Sequence, residues 1–429
     1  MLTAGMFALM IFMLLAGFPV AIVLGVVSTT WVMLAGNSIQ MIASRMYAGI
    51  DLFVLMAIPF FVLAGEIMNH CGITDRLIKF VDFIIGRVRG GLAQACIYAS
   101  ILFAGITGAA VADVAALGSI FIPSMEKQGY TRKFSAMVVA ASSIIGPIIP
   151  PSIIVVIYGS VTGISIGTLF AACVIPGVMV GLGMSAYVAL VAKKKNFPKT
   201  DEPFEVKAFA LCFKDSLLAI LMPLIIVGGI FSGLFTPTEA AAASAFYAFF
   251  VGVVIYRTIT AGVLLKSIVN SVRTSAMLFF IIGFANILGW IIAREQIPET
   301  IAKFLLTLSS NPTILMILVV GFLLFLGTWM EITASCIIIA PILSPVMVKV
   351  GIHPVHFAVV MLVVLNVGLI TPPLGVALFA AVGVGKVGFE EVCSELWPFL
   401  IVDVLVISLL VFIPELSLAI PRALGFITP

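Results

Sequence analysis

Residues 105–152 read GITGAAVADVAALGSIFIPSMEKQGYTRKFSAMVVAASSIIGPIIPPS, and residues 327–374 read GTWMEITASCIIIAPILSPVMVKVGIHPVHFAVVMLVVLNVGLITPPL. A shift of 222 positions (from Gly105 to Gly327) lays one on the other without a gap. The shift matches Gly105 with Gly327, Ile120 with Ile342, Pro123 with Pro345, Gly129 with Gly351, Gly146 with Gly368, Ile148 with Ile370, and Pro150-Pro151 with Pro372-Pro373. Slightly upstream, ITDRLIKF (73–80) matches IPETIAKF (297–304). Glycine and proline mark positions where the backbone, not the side chain, is constrained, so their coincidence reads as an internal repeat.

The surroundings decide the class. Hydrophobic residues are 62% of the 429 and charged residues only 10%, with a mean hydropathy of +1.30. A soluble domain carries about 25% charged residues. Apolar runs near 3–17, 19–35, 52–69, 134–160, 166–192, 216–233, 237–256, 274–293, 354–384 and 395–420 predict an all-α, polytopic membrane protein, with a lipid bilayer as its solvent. Two further apolar segments, about 91–126 and 313–347, carry a Gly- and Thr-containing centre between two short arms, each near half a membrane in length. Both are read as re-entrant helical hairpins. The opening MLTAGMFALMIFMLLAG has no positive n-region and is read as a span rather than a cleaved signal. Residues 3–35 form either one helix kinked at Pro19 or two short spans, and the turn-like Gly17-Phe18-Pro19 favours two.

Five full spans separate the two hairpins. An odd number makes the hairpins enter from opposite faces, which is an inverted-topology repeat. The first repeat takes 1–207, with its broken helix at about 134–160. The second takes 208–429, with its broken helix at about 354–384. The loop KKKNFPKTDEPFEVK (193–207) sets the cytoplasmic side and leaves 17 of the 22 basic residues inside. Arg45, Arg294, Lys303, Lys349 and Arg422 remain outside. The basic residues in short loops are topology signals, so no nucleic-acid partner is expected. ITDRLIKFVDFIIG and IPETIAKFLLTL are amphipathic and read either as arms lying in opposite interfaces and bracing each hairpin or as ordinary solvated loop helices.

GPIIPPS (146–152) and NVGLITPP (366–373) interrupt their spans. Proline removes a backbone donor and clashes with the preceding turn. A break at mid-membrane depth frees carbonyls and amides that must be buried in protein or line a polar cavity. The first tip offers Gly105, Thr107 and Gly108, and its facing break Ser142, Ser143 and Gly146. The second tip offers Gly327, Thr328, Glu331 and Thr333, and its facing break Asn366, Gly368 and Thr371. Oxygen ligands without clustered carboxylates or thiols suit Na⁺ better than a transition metal. The other reading of the same residues is that the prolines only kink the spans and the hydroxyls satisfy helix ends. Asp113 and Glu331 are candidates for cation ligands because intramembrane carboxylates are costly, and each would also serve as a cap for the second arm of its hairpin. No Walker loop, nucleophile triad or metal-protease spacing is present, so a transporter rather than an enzyme is expected. The six cysteines show no metal spacing.

GITGAAVADVAALG, GPIIPPS and NVGLITPP together resemble the large membrane subunit of tripartite ATP-independent periplasmic (TRAP) transporters, over essentially the whole chain. That resemblance implies Na⁺-driven uptake of an organic acid, of the sialic acid or C4-dicarboxylate class, across the bacterial inner membrane. It implies two partners, a periplasmic substrate-binding protein and a separate small four-helix membrane subunit, and an elevator-like movement of hairpins and broken helices as one block. Carried over, it places Na⁺ ligands at Gly105, Gly108, Ser143, Gly146, Pro147 and Pro150 in the first half, with Asp113 as ion ligand or cap. In the second half it places them at Gly327, Glu331, Asn366, Gly368 and Pro372. Substrate contacts would come from Thr107, Ser152, Thr328, Thr333 and Thr371. A stand-alone dicarboxylate/Na⁺ symporter and a channel or membrane scaffold are the competing readings.

Overall fold

The computed structural model describes residues 2–195, 197 and 205–427. The described residues form helices α1 (Leu2–Leu15), α2 (Val20–Leu34), α3 (Gln40–Ile50), α4 (Ala57–His70), α5 (Ile73–Ile85), α6 (Gly91–Thr107), α7 (Ala110–Lys127), α8 (Arg132–Ser143), α9 (Ile153–Thr162), α10 (Ile166–Lys194) and α11 (Val206–Phe231). There follow α12 (Pro237–Phe250), α13 (Ala261–Arg294), α14 (Ile297–Leu308), α15 (Pro312–Gly327), α16 (Ile332–Lys349), α17 (Pro354–Gly368), α18 (Val376–Gly385), α19 (Phe389–Cys393), α20 (Trp397–Phe412) and α21 (Glu415–Ala423). Of the loop 193–207, Lys199 and most of its neighbours lie outside the described residues.

The chain opens with two helices rather than one kinked one. Gly17, at φ +81°, takes the left-handed turn, Phe18 N–H reaches back to Met13 O at 3.1 Å, and α1 packs on α2. The turn between α11 and α12 repeats the device: Gly233 has φ +74° and Phe235 N–H bonds Gly229 O at 3.0 Å. Only glycine takes that φ without a Cβ penalty. Thr236 and Glu239 then form a capping box, with Pro237 at the first position of α12.

Three stretches depart from the pattern of apolar runs. Residues 40–50, left outside every span, are helical, because α3 buries Gly49 tightly against α13. Helix α13 starts 13 residues before the expected span, at Ala261, where Thr260 Oγ1 accepts from Val263 N–H. Residues 395–420, expected as one span, divide into α20 and α21, bent by 62°. Pro414 lies at that joint, where it cannot continue the hydrogen-bond ladder of α20.

Both double-proline segments break their helices. Every residue from Phe134 to Ser143 in α8, and from Val355 to Gly368 in α17, is buried. Helix α9 packs on α16, the second arm of the other hairpin, and α18 packs reciprocally on α7. The internal repeat is thus also a repeat of neighbours, with each half supplying the wall against which the other half's broken helix stands. The outer helices behave differently. Phe12, Leu15, Leu224, Phe246, Leu265, Phe325 and Phe412 are all more than half exposed. Apolar exposure on this scale is stable only against lipid. Helix α14 bends by 115° from α15 and buries Pro298, Ala302 and Leu305 along one face, while α5 buries Ile73, Leu77, Ile78 and Val81. Both segments are helical and each packs on an arm of its own hairpin, α5 on α6 and α14 on α16.

Candidate functional site

At the first break the backbone explains the loop. Helix α8 runs out through turn bonds from Ile145 N–H to Ser142 O and from Gly146 N–H to Ser143 O, each 3.2 Å. Pro147, Pro150 and Pro151 then supply no donors. The chain restarts at Ser152, whose Oγ accepts from Val155 N–H at 3.4 Å and donates to the Pro147 carbonyl at 2.5 Å. Ser152 is fully buried and therefore acts as the N-cap and loop clasp of α9.

The tip of the first hairpin sits on this loop. Gly108 has φ +59°, and a Cβ there would lie 3.1 Å from Pro151 O and 3.3 Å from Ile153 N. Gly105 and Thr107 fall in the last turn of α6, and their side chains lie outside the described residues. Asp113 is in the first turn of α7 but does not occupy the cap position, which falls to Ala109. Its carboxylate points across to the break instead. A Cβ on Gly146 would lie 2.1 Å from Asp113 Oδ2 and 3.3 Å from Ser143 O. Glycine at 146 thus makes room for the acid. The C-terminal end of α8, the N-terminal ends of α7 and α9 and one carboxylate come together here, with Ser143, Gly146, Ser152 and Asp113 all buried. C-terminal carbonyls attract cations and N-terminal amides attract anions.

The second pair uses backbone more directly. A Cβ on Gly368 would lie 2.5 Å from Gly327 O, so the ends of α15 and α17 touch main chain to main chain. Leu374 N–H bonds Thr328 O at 3.0 Å, which ties the loop after the break to the hairpin tip. Asn366 is fully buried; its Nδ2 donates to Leu362 O at 2.8 Å, and its Oδ1 has no hydrogen-bond partner among the described residues. That oxygen is an open acceptor of the kind a cation takes. Thr371 Oγ1 donates to Val367 O and Thr328 Oγ1 to Phe325 O. Both hydroxyls keep their oxygen free to accept.

Glu331 is the expectation that changes most. It is exposed and is the N-cap of α16, accepting from Thr333 N–H at 2.9 Å, Ala334 N–H at 3.1 Å and the Thr333 hydroxyl at 2.8 Å. Both its oxygens and the Thr333 hydroxyl are thereby engaged in capping the start of α16, the alternative to ligation that the sequence offered for both acids. Pro147 and Pro150 are buried in the first loop, whereas Pro372 is half-buried in the second. Ser335 stands at the position equivalent to Asp113 (113 plus 222) and went unremarked in the sequence; it is fully buried and its Oγ has no partner among the described residues. The repeat offset was the signal that would have found it. Among the described residues no three His, Cys, Asp or Glu side chains come together. A bound cation would thus be held chiefly by carbonyl, amide and hydroxyl oxygens.

The model of the family described as "Tripartite ATP-independent periplasmic transporter, DctM component" matches residues 7–416. The sialic acid TRAP transporter large permease protein SiaM of Vibrio cholerae is 40% identical over 414 residues, 96% of each chain. The C4-dicarboxylate TRAP transporter large permease protein DctM of Rhodobacter capsulatus is 35% identical over 434 residues, 98% of each chain. The 2,3-diketo-L-gulonate TRAP transporter large permease protein YiaN of Escherichia coli is 36% identical, covering 88% of this chain and 89% of its own. Among solved structures, the YdaH transporter of Alcanivorax borkumensis superposes with a TM-score of 0.59 at 16% identity, covering 90% of this chain and 87% of its own. At that identity the likeness concerns the fold alone.

Proposed function

Because this chain belongs to the tripartite ATP-independent periplasmic (TRAP) transporter family, as a multi-pass inner-membrane large permease, we propose that it takes up an organic acid anion by Na⁺ symport through its two tip–break pairs. Residues 1–207 and 208–429 act as repeats of opposite membrane orientation, and the parity of the five spans between the hairpins supports this. Na⁺ occupies the carbonyl-rich ends: Ser143, Gly146 and Asp113 with the tip at Gly105–Gly108 in the first half, Gly327, Asn366 and Gly368 in the second. The organic acid lies between the pairs, within reach of Thr328 and Thr371 and of the free amides at the starts of the half-helices. A periplasmic binding protein delivers it, and a separate small membrane subunit braces the outer helices. Hairpins and broken helices move across the membrane as one block.

One observation carries this reading: the duplicated non-helical backbone, packed against the opposite hairpin, with a buried carboxylate at one copy and an open amide oxygen at the other. Backbone breaks at this depth cost several kcal/mol per unsatisfied group unless something occupies them. Two Na⁺ moving down a 100 mV potential supply about 2.3 kcal/mol each. Carrying a monoanion inward costs about 2.3 kcal/mol of this and a dianion all of it, so the potential leaves a net drive for a monoanion while a dianion relies on the Na⁺ concentration gradient. The test is uptake by the assembled transporter in proteoliposomes under an imposed Na⁺ gradient. Strong stimulation by inward Na⁺ is expected, and uptake of equal rate in its absence would overturn the coupling.

A further inference from the structure

Of the five basic residues placed outside by the charge count, two are neutralised in the fold. Lys349 pairs with Glu299, and Arg422 with Glu415. Arg45 and Arg294 pair with no carboxylate among the described residues. Instead they converge on one indole. The Arg45 guanidinium lies 5.5 Å from the Trp290 ring centre and that of Arg294 lies 5.1 Å from it. Arg294 also stands 5.8 Å from Trp31 and donates to Asn37 Oδ1 at 2.6 Å, while Trp31 and Trp290 meet edge to face at 6.1 Å. The placement follows from packing. A Cβ on Gly49 would lie 2.5 Å from Asn286 Cβ, so α3 is pressed onto α13 there, and Arg45, one turn earlier, is carried over Trp290.

Arg45 and Trp290 border a cavity of about 340 Å³, and Ala293, next to Arg294, also lines it. Arg45, Asn286 and Trp290 line one side of it, from α3 and α13. Ser160 and Pro341 line the other, from α9 and α16, elements of the tip–break assembly. Two like charges gathered at one indole, neither paired with a carboxylate among the described residues, repel each other and favour an anion between them. A guanidinium binds a carboxylate through two parallel N–H donors. We infer that this cavity is the receiving vestibule for the carboxylate of the transported organic acid, with Arg45 as its anion-binding residue and Arg294 held by Asn37 as the fixed second charge. The inference rests on the outward placement and organic-acid cargo proposed above.

The test is chosen to stand apart from Na⁺ coupling. In the assembled transporter, Ser160→Cys is reacted from outside with two membrane-impermeant thiosulfonate reagents, one anionic (a sulfonate) and one cationic (a trimethylammonium). The anionic reagent is expected to react faster, and Arg45→Gln to lower the anionic-to-cationic rate ratio about tenfold. N-acetylneuraminate and succinate then serve as probes. The one that is transported should slow the reaction of Ser160→Cys, and Arg45→Gln should raise its KM about tenfold while the Na⁺ needed for half-maximal uptake stays unchanged. Arg45→Lys should restore part of the rate ratio, because the charge returns without the bidentate fork. An unchanged rate ratio in Arg45→Gln would overturn the vestibule whatever is transported. Loss of Na⁺ dependence with the Arg45 effects intact would instead remove the coupling and leave the vestibule standing.

Discussion

The first and second tip–break pairs share one backbone plan and differ in what fills it. In both, a glycine at the end of a half-helix takes the contact from the hairpin, and a Pro-Pro segment follows. At the first pair the object against Gly146 is a side chain, Asp113 Oδ2; at the second, the object against Gly368 is the carbonyl of Gly327. The first loop is closed and buried, with Ser152 clasping Pro147. The second leaves Thr328, Thr371 and Pro372 half-buried and Glu331 exposed. Duplication preserved the geometry that exposes carbonyl oxygens, while a carboxylate stands against the break at one copy only. Under the Na⁺ symport proposed above, the two pairs would therefore differ in the strength and order of ion binding.

That contrast can be broken by substitution. The largest effect is expected from Gly368→Ala, whose new Cβ meets backbone that no side-chain change can move. Uptake should fall to background in proteoliposomes, and no second-site truncation should restore it. Gly146→Ala should be nearly as severe in transport, but here the obstacle is the end of a side chain. Asp113→Ala in the same chain should recover insertion and thermal stability without recovering Na⁺ affinity, which a melting curve with and without Na⁺ separates. If both glycine substitutions respond alike to Asp113→Ala, the contrast between the pairs is wrong.

Asp113→Asn alone should raise the Na⁺ concentration for half-maximal uptake about tenfold or more, since a charge-assisted ligand is replaced by a neutral one. Ser335→Ala, the equivalent change in the second half, should raise it only a few-fold. Glu331→Ala comes lower again. It should cost about 1 kcal/mol of stability through loss of the α16 cap, read as a lowered melting temperature, with Na⁺ dependence retained. A Na⁺ effect as large as that of Asp113→Asn would restore Glu331 as a ligand. The smallest change is expected from Glu299→Gln. The Lys349 ammonium beside Glu299 holds its carboxyl below the usual range. The pair's contribution is thus present above the ordinary Glu pKa and fades as pH falls through the lowered one. At neutral pH its removal should shift the melting temperature within error, because the pair is exposed to solvent.

Much of the architecture was legible because membranes restrict the options. Lengths of apolar chain, prolines that cannot donate, and glycines that alone adopt a left-handed turn are properties of residues taken singly or in short runs. They located both hairpins and both breaks to within a few residues, as α6–α7, α15–α16, α8–α9 and α17–α18. Less was legible where a segment's partner decides its state. Residues 40–50 are too short and polar to read as a span, and their helix stands because α13 receives Gly49. The division at Pro414 was hidden because apolar composition continues across it. The roles of Asp113 and Glu331 were open because each acid follows a hairpin tip at a spacing that suits either a cap or a cross-contact. Asp113 lies four residues beyond its cap position and reaches the break, whereas Glu331 is the cap residue itself.

The sequence by itself determined that this protein is a helical membrane permease with a repeated, proline-broken element, because hydropathy and backbone chemistry are local and need no knowledge of neighbours. Only the tertiary structure decided which acid faces a break, which hydroxyls are already engaged in capping, and that two arginines 249 positions apart, Arg45 and Arg294, share one tryptophan. Those are distances across the fold, and electrostatic and hydrogen-bond energies depend on distance in space rather than on separation along the chain.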